Sequence, residues 1–164
     1  MKFGDLKGQP VVSTANAQKL GTVDTLLVDP QDQTVLGLRI RTTGFVVRRE
    51  AVLLGDIHSF GADAITVSDA SKLNRQDTLA PLKDKPDLGI ILGARVLDEA
   101  GSELGSVSDI DFDEYSGTIT DYILSSNVID RIRGHEHVIP AARIKSIGNG
   151  MIVVAADAPA EKAD

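Results

Sequence analysis

The first residues whose types and spacing could do chemistry are three alternating acids, Asp109, Asp111 and Asp113. Acids at alternate positions open the calcium loop of an EF-hand, which also needs Gly at its sixth position and Glu at its twelfth. Glu114 and Thr120 stand at those positions instead. The residues between the acids are apolar, so the solvated face of a β-strand explains the pattern better than a weak cation site.

A second candidate is the pair His135 and His137, separated by Glu136, which places two imidazoles on one face of an extended segment. A stable transition-metal site has three or four ligands, and the sequence dictates no third one. The spacing also differs from the helical His-Glu-x-x-His motif. We therefore expect exposed strand histidines and neither a metal nor another cofactor. His58 is likewise expected to be an exposed polar residue.

The basic residues of the first half concentrate at Arg39, Arg41, Arg48 and Arg49. Guanidinium groups match carboxylates and phosphates, so this cluster could contact an acidic protein partner or RNA. One alternative is an outer face whose charges neighbouring acids balance. Another is self-association, in which this basic face meets the acidic Asp109–Asp113 face of another copy. We take the four arginines as the candidate interaction surface.

The sequence carries no familiar catalytic motif. It has no P-loop, no dinucleotide fingerprint, and no local spacing that joins Ser, His and Asp into a triad. It has no cysteine, so thiolate chemistry and a disulfide framework are excluded. We expect a protein that is not an enzyme.

The composition is that of a folded, acidic protein. Of 164 residues 42% are hydrophobic, and the formal net charge of −7 falls in residues 79–164, while residues 1–78 carry no net charge. Nucleic-acid binders normally carry a basic footprint, and only 4% of the residues are aromatic. No apolar run reaches the roughly 18 residues of a membrane span, and the N-terminus lacks the apolar core of a signal peptide. We expect a cytoplasmic protein that neither spans a membrane nor binds DNA.

The chain contains two copies of one pattern. Residues 20–23, Leu-Gly-Thr-Val, recur at 104–107 as Leu-Gly-Ser-Val, and residues 57–61, Ile-His-Ser-Phe-Gly, recur at 144–148 as Ile-Lys-Ser-Ile-Gly. The separation in sequence between the two copies exceeds the roughly 20–50 residues of a solenoid repeat and fits two small domains. We predict a first domain at 1–70, a linker at 71–87, a second domain at 88–157 and a flexible tail at 158–164.

Short β-type runs punctuated by turns make up each copy. Leu36, Leu38 and Ile40 alternate with Gly and Arg, as in a half-buried strand, and residues 45–54 predict a further extended run. Short strands with almost no helical periodicity predict an all-β protein: two small barrels in tandem, with short helical turns. The predicted core consists of Val23, Leu26, Val28, Leu36, Leu38, Ile40, Ile65 and Val67 in the first copy, and Val107, Ile110, Phe112, Ile119, Ile123, Ile152 and Val154 in the second. Gly21 and Gly105 are expected to need backbone freedom or a close strand approach.

The order of these motifs resembles the PRC-barrel family. A Gly ahead of a Val strand, the run Lys-Leu-Gly-Thr-Val-Asp at 19–24, an Asp-Pro turn, and a terminal Ile-x-Ser-Ile/Phe-Gly with Ile-x-Val carry the resemblance. It covers two copies, at about 1–69 and 88–156. This is the β-barrel fold of the cytoplasmic domain of the photosynthetic reaction-centre H subunit and of the C-terminal domain of the ribosome-maturation factor RimM. The resemblance implies a binding and assembly module without a shared catalytic set.

Resemblance and composition together predict a non-catalytic cytoplasmic interaction or assembly module. Its expected partner is a protein, with a homodimer as one option. The alternative function is an RNA- or ribosome-associated maturation factor, which follows from the resemblance alone and is disfavoured by the acidic charge. A barrel that binds a metal or a small molecule is the third hypothesis.

Overall fold

The computed structural model of the chain describes residues 1–125 and 137–155. In these residues β-strands dominate, accompanied by one short helix, α1 at Phe3–Leu6, and by several single 3₁₀ turns. The strands of the first copy are β1 Pro10–Ser13, β2 Lys19–Asp29, β3 Thr34–Thr42, β4 Arg49–Leu53, β5 Ile57–Phe60 and β6 Ile65–Val67. Those of the second are β7 Arg95–Asp98, β8 Glu103–Phe112, β9 Ile119–Ser125, β10 His137–Pro140, β11 Ile144–Ile147 and β12 Met151–Val154. The prediction of an all-β fold with short helical turns is confirmed.

Both copies form a sheet with the same strand order. The orders are β4-β3-β2-β1-β6-β5 and β10-β9-β8-β7-β12-β11, so each strand of the second sheet lies six strands later in the chain than its counterpart. In each sheet the first strand of the copy pairs in parallel with the last, β1 with β6 and β7 with β12. The neighbouring pairs β1–β2 and β7–β8 are antiparallel. The sequence repeat is therefore a repeat of topology.

The chain divides into two compact units. The first gathers Met1–Leu88 and Phe112–Ile119, and the second gathers Gly89–Asp111 and the described residues from Thr120 onward. The tip of the β8–β9 hairpin thus belongs to the first unit. There the backbone N–H of Val35 donates to the carbonyl of Gly117 at 2.7 Å.

Alternate residues of β2 and β3 line the core of the first unit. The antiparallel register places Leu26 opposite Leu38 and Val23 opposite Ile40, and all four are buried. Gly21 lies opposite Thr42, and a Cβ on Gly21 would collide with the backbone carbonyl of Arg41, the close approach that the sequence predicted. The other predicted core residues that are buried are Val28, Ile65, Val67, Val107, Ile110, Phe112, Ile119, Ile123, Ile152 and Val154.

Leu36 departs from the predicted core. It is only half-buried, whereas its neighbour Val35 is 1% exposed. The β2–β3 register shifts between Leu27 and Val28, so that Val28 pairs with Val35. Such an irregularity breaks the alternation of faces that the prediction assumed. Leu36 packs instead against a separate apolar cluster formed with residues that follow β6.

That second cluster is built where residues 74–87, hereafter the covering segment, pack on β3 and β4. Leu82 is fully buried against Leu27 and Ala51, and Leu79 is partly buried beside it. A Cβ on Gly37 would come within 3.2 Å of the Leu82 side chain, which shows how closely the segment approaches β3. The residues predicted to form a linker thus include a buried leucine and several 3₁₀ turns, among them Gln76–Thr78 and Ala80–Leu82.

Polar bonds hold the covering segment at both ends. Asn74 and Ala51 exchange two backbone hydrogen bonds, at 2.7 and 3.0 Å. At the other end the Val28 N–H donates to the Pro86 carbonyl at 3.0 Å. Within the segment the Gln76 side-chain amide donates to the carbonyls of Leu82 and Lys85, at 2.8 and 2.9 Å. These bonds satisfy backbone groups of a segment that forms no regular strand.

The β2–β3 and β8–β9 turns use the same carboxylate cap. Asp29 Oδ1 accepts from the backbone N–H groups of Gln31 and Asp32 at 3.1 and 3.2 Å. Asp113, at the equivalent position, accepts from two backbone N–H groups at 2.8 and 2.9 Å. These bonds favour the ionised form and lower the pKa of both carboxyls, with the Asp32 N–H as the largest cause for Asp29 and the Ser116 N–H for Asp113.

Replacing both caps by asparagine, Asp29→Asn with Asp113→Asn, is expected to make the thermal stability of the protein less sensitive to acid. Because the folded-state pKa values are lowered, the stabilisation by the ionised carboxyls is complete above the unfolded-state pKa of about 3.9 and is lost as pH falls through the folded-state values. Asparagine keeps an acceptor for the same N–H groups but does not titrate. Melting temperatures between pH 7 and pH 2 check this.

The control is Asp63→Asn, which removes an exposed turn acid without removing a cap. It should leave the loss of melting temperature on acidification unchanged. The two caps would be shown to contribute nothing if the double variant lost as much melting temperature below pH 4 as the unmodified chain.

Candidate interaction surface

The loop between β3 and β4, residues 43–48, is closed at its base by backbone and hydroxyl bonds. Thr42 N donates to the Arg48 carbonyl and Arg48 N to Thr42 Oγ1, both at 2.8 Å. The next residue, Thr43, donates from its N–H to the Leu20 carbonyl at 3.1 Å and from its hydroxyl to the Lys19 carbonyl at 3.1 Å. Four bonds therefore fix where the loop leaves the sheet.

The tip of this loop presents three consecutive apolar side chains to solvent. Phe45 is fully exposed, with a relative exposure of 107%, and Val46 and Val47 are 69% and 51% exposed. Single exposed apolar residues are ordinary on protein surfaces, but a contiguous group is typical of an interaction site. We call this group, together with the exposed arginines beside it, the basic loop: Arg41, Phe45, Val46, Val47, Arg48 and Arg49.

Three of the four predicted arginines are exposed to solvent, and the fourth is bound within the first unit. Arg41, Arg48 and Arg49 are exposed, and within the described residues none of them forms an ion pair. An unpaired, solvated guanidinium can bind an incoming carboxylate without first breaking an internal contact. These three residues are therefore available to a partner.

Arg39 is engaged inside the first unit. Its Nη1 donates to Asp87 Oδ2 at 2.9 Å and its Nη2 to Gln76 Oε1 at 3.4 Å, and the side chain is only 22% exposed. Its cross-strand partner is the buried Ala51. Arg39 thus helps to hold the covering segment on the sheet.

The extended run predicted over residues 45–54 is wrong at its beginning. The strand β4 starts only at Arg49, because the register pairs Arg49 with Arg41 and the sheet offers no further partner beyond the Thr42–Arg48 bond. The Phe-Val-Val triplet has high β-propensity, yet it stands in the loop. Three apolar residues in a row without alternation, followed by two arginines, are the sequence signal that could have identified an exposed tip.

The acidic and histidine candidates do not form a metal site in the described part of the chain. Asp113 caps its own turn, and Asp109 Oδ1 accepts from the Ile110 N–H at 2.8 Å. His137 is exposed at the start of β10, whereas His135 and Glu136 lie outside the described residues. Among residues 1–125 and 137–155, no group of three His, Cys, Asp or Glu side chains could hold a metal ion.

A cleft of about 290 Å³ in the first unit brings together other polar side chains. His58, Ser59, Glu114 and Tyr115 contribute to its lining. His58 is exposed, as expected, and the Ser59 hydroxyl is hydrogen bonded to the Thr66 hydroxyl at 2.8 Å. A serine nucleophile needs a general base within hydrogen-bond reach. The hydrogen-bond partner of Ser59 is a second hydroxyl, which is not such a base.

Comparison with known proteins agrees with this architecture. The model of the PRC-barrel domain family matches the chain twice, over residues 1–73 and 90–160. The two matches cover most of the sequence, and each contains all the strands of one six-stranded sheet. The chain belongs to the PRC-barrel family, with two such domains in tandem.

A solved structure similar to this chain is that of the 16S ribosomal RNA processing protein RimM from Pseudomonas aeruginosa. The two chains share 12% identity over 93% of this chain and 96% of the other, with a TM-score of 0.33. At that identity and TM-score the similarity carries no inference about function. None of the curated proteins matches the chain. Within the described residues, no helix has the length and apolar character needed to cross a membrane.

Proposed function

We propose that this PRC-barrel protein is a non-catalytic interaction module whose basic loop binds a protein partner. The observation that carries the proposal is the fully exposed Phe45, held on a fixed loop base and flanked by exposed arginines. Exposing a phenylalanine and two valines to water is unfavourable, and a partner that buries them relieves that cost. Aromatic and arginine side chains are also the types that contribute most binding energy at protein interfaces.

Charge indicates the kind of partner surface. The chain as a whole carries −7, while the basic loop presents three arginines without internal ion pairs in the described residues. Such a local positive surface on an acidic protein would orient an acidic partner toward the loop and away from the remainder. A partner surface with carboxylates around an apolar pocket fits both features.

The contents of the first unit's cleft support a role without catalysis. The Ser59 hydroxyl in this cleft is hydrogen bonded to the Thr66 hydroxyl at 2.8 Å, a partner that is not a general base. The same family membership that explains the fold implies binding and assembly, as the resemblance of the motifs already suggested.

Association with RNA is the second candidate function, because Phe45 beside Arg48 and Arg49 could also stack on a base and pair with phosphates. The overall negative charge disfavours it, since phosphate neutralisation supplies most of the affinity of such proteins. The two candidates differ in their sensitivity to RNase and in their salt dependence.

Reversing the charge of the loop, Arg48→Glu with Arg49→Glu, and separately Phe45→Ser, is expected to weaken partner binding at least tenfold, because each change removes about 1.4 kcal/mol or more of contact energy. Tagged protein is used for affinity capture from a lysate of the source organism, with and without RNase. The amount of each captured protein is compared between the unmodified chain and the variants. A partner protein captured equally by both variants would contradict the proposed surface.

Two matched controls accompany that experiment. Lys2→Glu with Lys7→Glu makes the same change of net charge at two exposed positions that are not part of the basic loop, and Tyr115→Ser removes an aromatic side chain that is 90% exposed. Both controls should retain the partner. Ribosomal proteins that disappear with RNase would favour the RNA-associated function, and a captured second copy of this chain would identify a homodimer.

A further inference from the structure

Within the described residues, the outer edge of β4 offers unpaired main-chain groups beside the basic loop. β4 is the terminal strand of the first sheet. At Ala51 its outward N–H and C=O groups exchange hydrogen bonds with Asn74. Antiparallel strands direct the groups of successive residues to opposite sides, so Arg49, two residues before Ala51, points its N–H and C=O in the same outward direction. The bond from Thr42 N to the Arg48 carbonyl confirms that Arg48 is the residue that faces β3.

The covering segment leaves this edge before it reaches Arg49. After Asn74 the chain turns into the 3₁₀ turn Gln76–Thr78, and the Gln76 side chain is directed to the carbonyls of Leu82 and Lys85. A recess of about 380 Å³ lies beside the edge at Arg49 and is lined by Arg49, Arg75, Gln76, Asp77 and Asp84. Arg75 is already paired with Asp77 at 2.7 Å. Within the described residues Arg49 forms no ion pair, so it is the cation of this lining that can bind a carboxylate, and the carboxylate of Asp84 restricts that contact to the Arg49 side of the recess.

We propose that an extended acidic peptide segment of the partner adds to the edge of β4 at Arg49, continuing the pairing that Asn74 begins at Ala51. This proposal rests on the proposed function and specifies its binding mode. Main-chain hydrogen bonds to Arg49 supply affinity, and alternate side chains of the peptide supply specificity. Carboxylates of the peptide pair with Arg41 and Arg49, which are cross-strand partners on one face of the sheet, and with Arg48 next to them. Apolar side chains of the peptide contact Phe45, Val46 and Val47.

An extended peptide can pair with the outward main-chain groups of Arg49 more completely than RNA can. The outward groups of Arg49 are one donor and one acceptor, and an extended peptide presents the same alternation along its length. An RNA strand can offer a 2′-hydroxyl or a base amino group to the Arg49 carbonyl, but its backbone does not repeat the alternating donors and acceptors of a peptide main chain. An exposed, partly apolar edge strand is moreover a general template for strand addition.

The test uses a displayed library of random twelve-residue peptides selected against the full-length chain, followed by affinity measurement of the selected peptides by fluorescence anisotropy. Acidic peptides with alternating apolar residues are expected. Arg49→Ala removes one cation and keeps the N–H, and should weaken binding about tenfold. Arg49→Pro also removes the outward N–H, which makes no bond to β3, and should weaken binding by about a further tenfold.

The outcomes separate the binding mode from the proposed function. Selected peptides that are not acidic, or the recovery of no binding peptide, would overturn the inference. Peptides that bind Arg49→Ala and Arg49→Pro equally well, but fail to bind Arg48→Glu with Arg49→Glu, would overturn strand addition and leave the basic loop as a charged docking surface. Selected peptides that bind all of these variants unchanged would overturn both.

Discussion

Alanine in place of Leu82 is expected to lower the free energy of unfolding by about 3 kcal/mol, within the range of large-to-small changes at buried leucines. Leu82 is fully buried against Leu27 and Ala51, at the centre of the cluster that joins the covering segment to the sheet. Hydrogen bonds hold the backbone of the segment to the sheet at Asn74 and Pro86, so the cavity cannot close without breaking them. Both the lost burial and the residual cavity therefore contribute to the effect. Urea denaturation followed by circular dichroism measures the loss.

The half-buried Leu79 provides the matched control for Leu82. It packs on the same cluster from its rim, so Leu79→Ala removes less buried surface and should cost about 1 kcal/mol. If Leu82→Ala destabilised the protein no more than Leu79→Ala, the covering segment would not contribute to stability through Leu82, and the description of its packing would be wrong.

Alanine in place of Gly117 is also expected to cost about 3 kcal/mol, for a different reason. Gly117 has φ +79°, a left-handed conformation that costs a residue with a Cβ about 1–2 kcal/mol. A Cβ there would also collide with the backbone carbonyl of Val35, the group next to the Val35 N–H that donates to Gly117. Backbone cannot move aside as a flexible side chain can, so overpacking adds roughly 1–3 kcal/mol. Calorimetric unfolding measures the combined effect.

Gly8 separates the two contributions. It has φ +83° and lies in the same compact unit, but a Cβ on it would have no heavy atom within 4 Å. Gly8→Ala should therefore show only the conformational cost, about 1 kcal/mol. Equal losses at Gly8 and Gly117 would mean that the contact with Val35 does not matter. The equivalent turn of the first copy has the same left-handed backbone: Gln33, at the position equivalent to Gly117, has a positive φ of 51°. The turn therefore requires this conformation in both copies.

The covering segment also defines what the first unit can offer to a partner. It occupies the face of β3 and β4 that carries Arg39, and it pairs with the edge of β4 only at Ala51. The edge at Arg49 and the basic loop next to it remain outside this coverage. The proposed docking site therefore begins on β4 where the covering segment stops pairing with the edge of that strand.

The repeat was the feature that the sequence showed most reliably. Two copies of the same short motifs predicted two sheets of the same kind, and alternation along β2 and β3 identified most of the core. Alternation works because successive side chains of a strand point to opposite faces, whatever the remainder of the chain does. The alternation rule failed at Leu36, because the register shift after Leu27 depends on how two strands pair. Neither strand's sequence shows this shift by itself.

The candidate site was predicted only in part. The concentration of arginines in the first half is visible in the sequence, but the pattern predicts the same role for Arg39 and Arg41, since they share a strand face. Their difference arises from Asp87, which is 48 residues away from Arg39 and is brought to it by the covering segment. The exposed Phe45 was missed because β-propensity favoured a strand where the sheet has no partner to pair with it.

The sequence by itself determined the two-copy organisation, the all-β class and the membership of a family, because periodicity and recurring motifs are properties of local chain segments. Only the tertiary structure decided which arginines stay free in the described residues, where the covering segment packs, and that Phe45 stands at an exposed tip. These features depend on contacts between residues far apart in the chain. Strand register and long-range packing determine such contacts, and neither is encoded in a single window of residues.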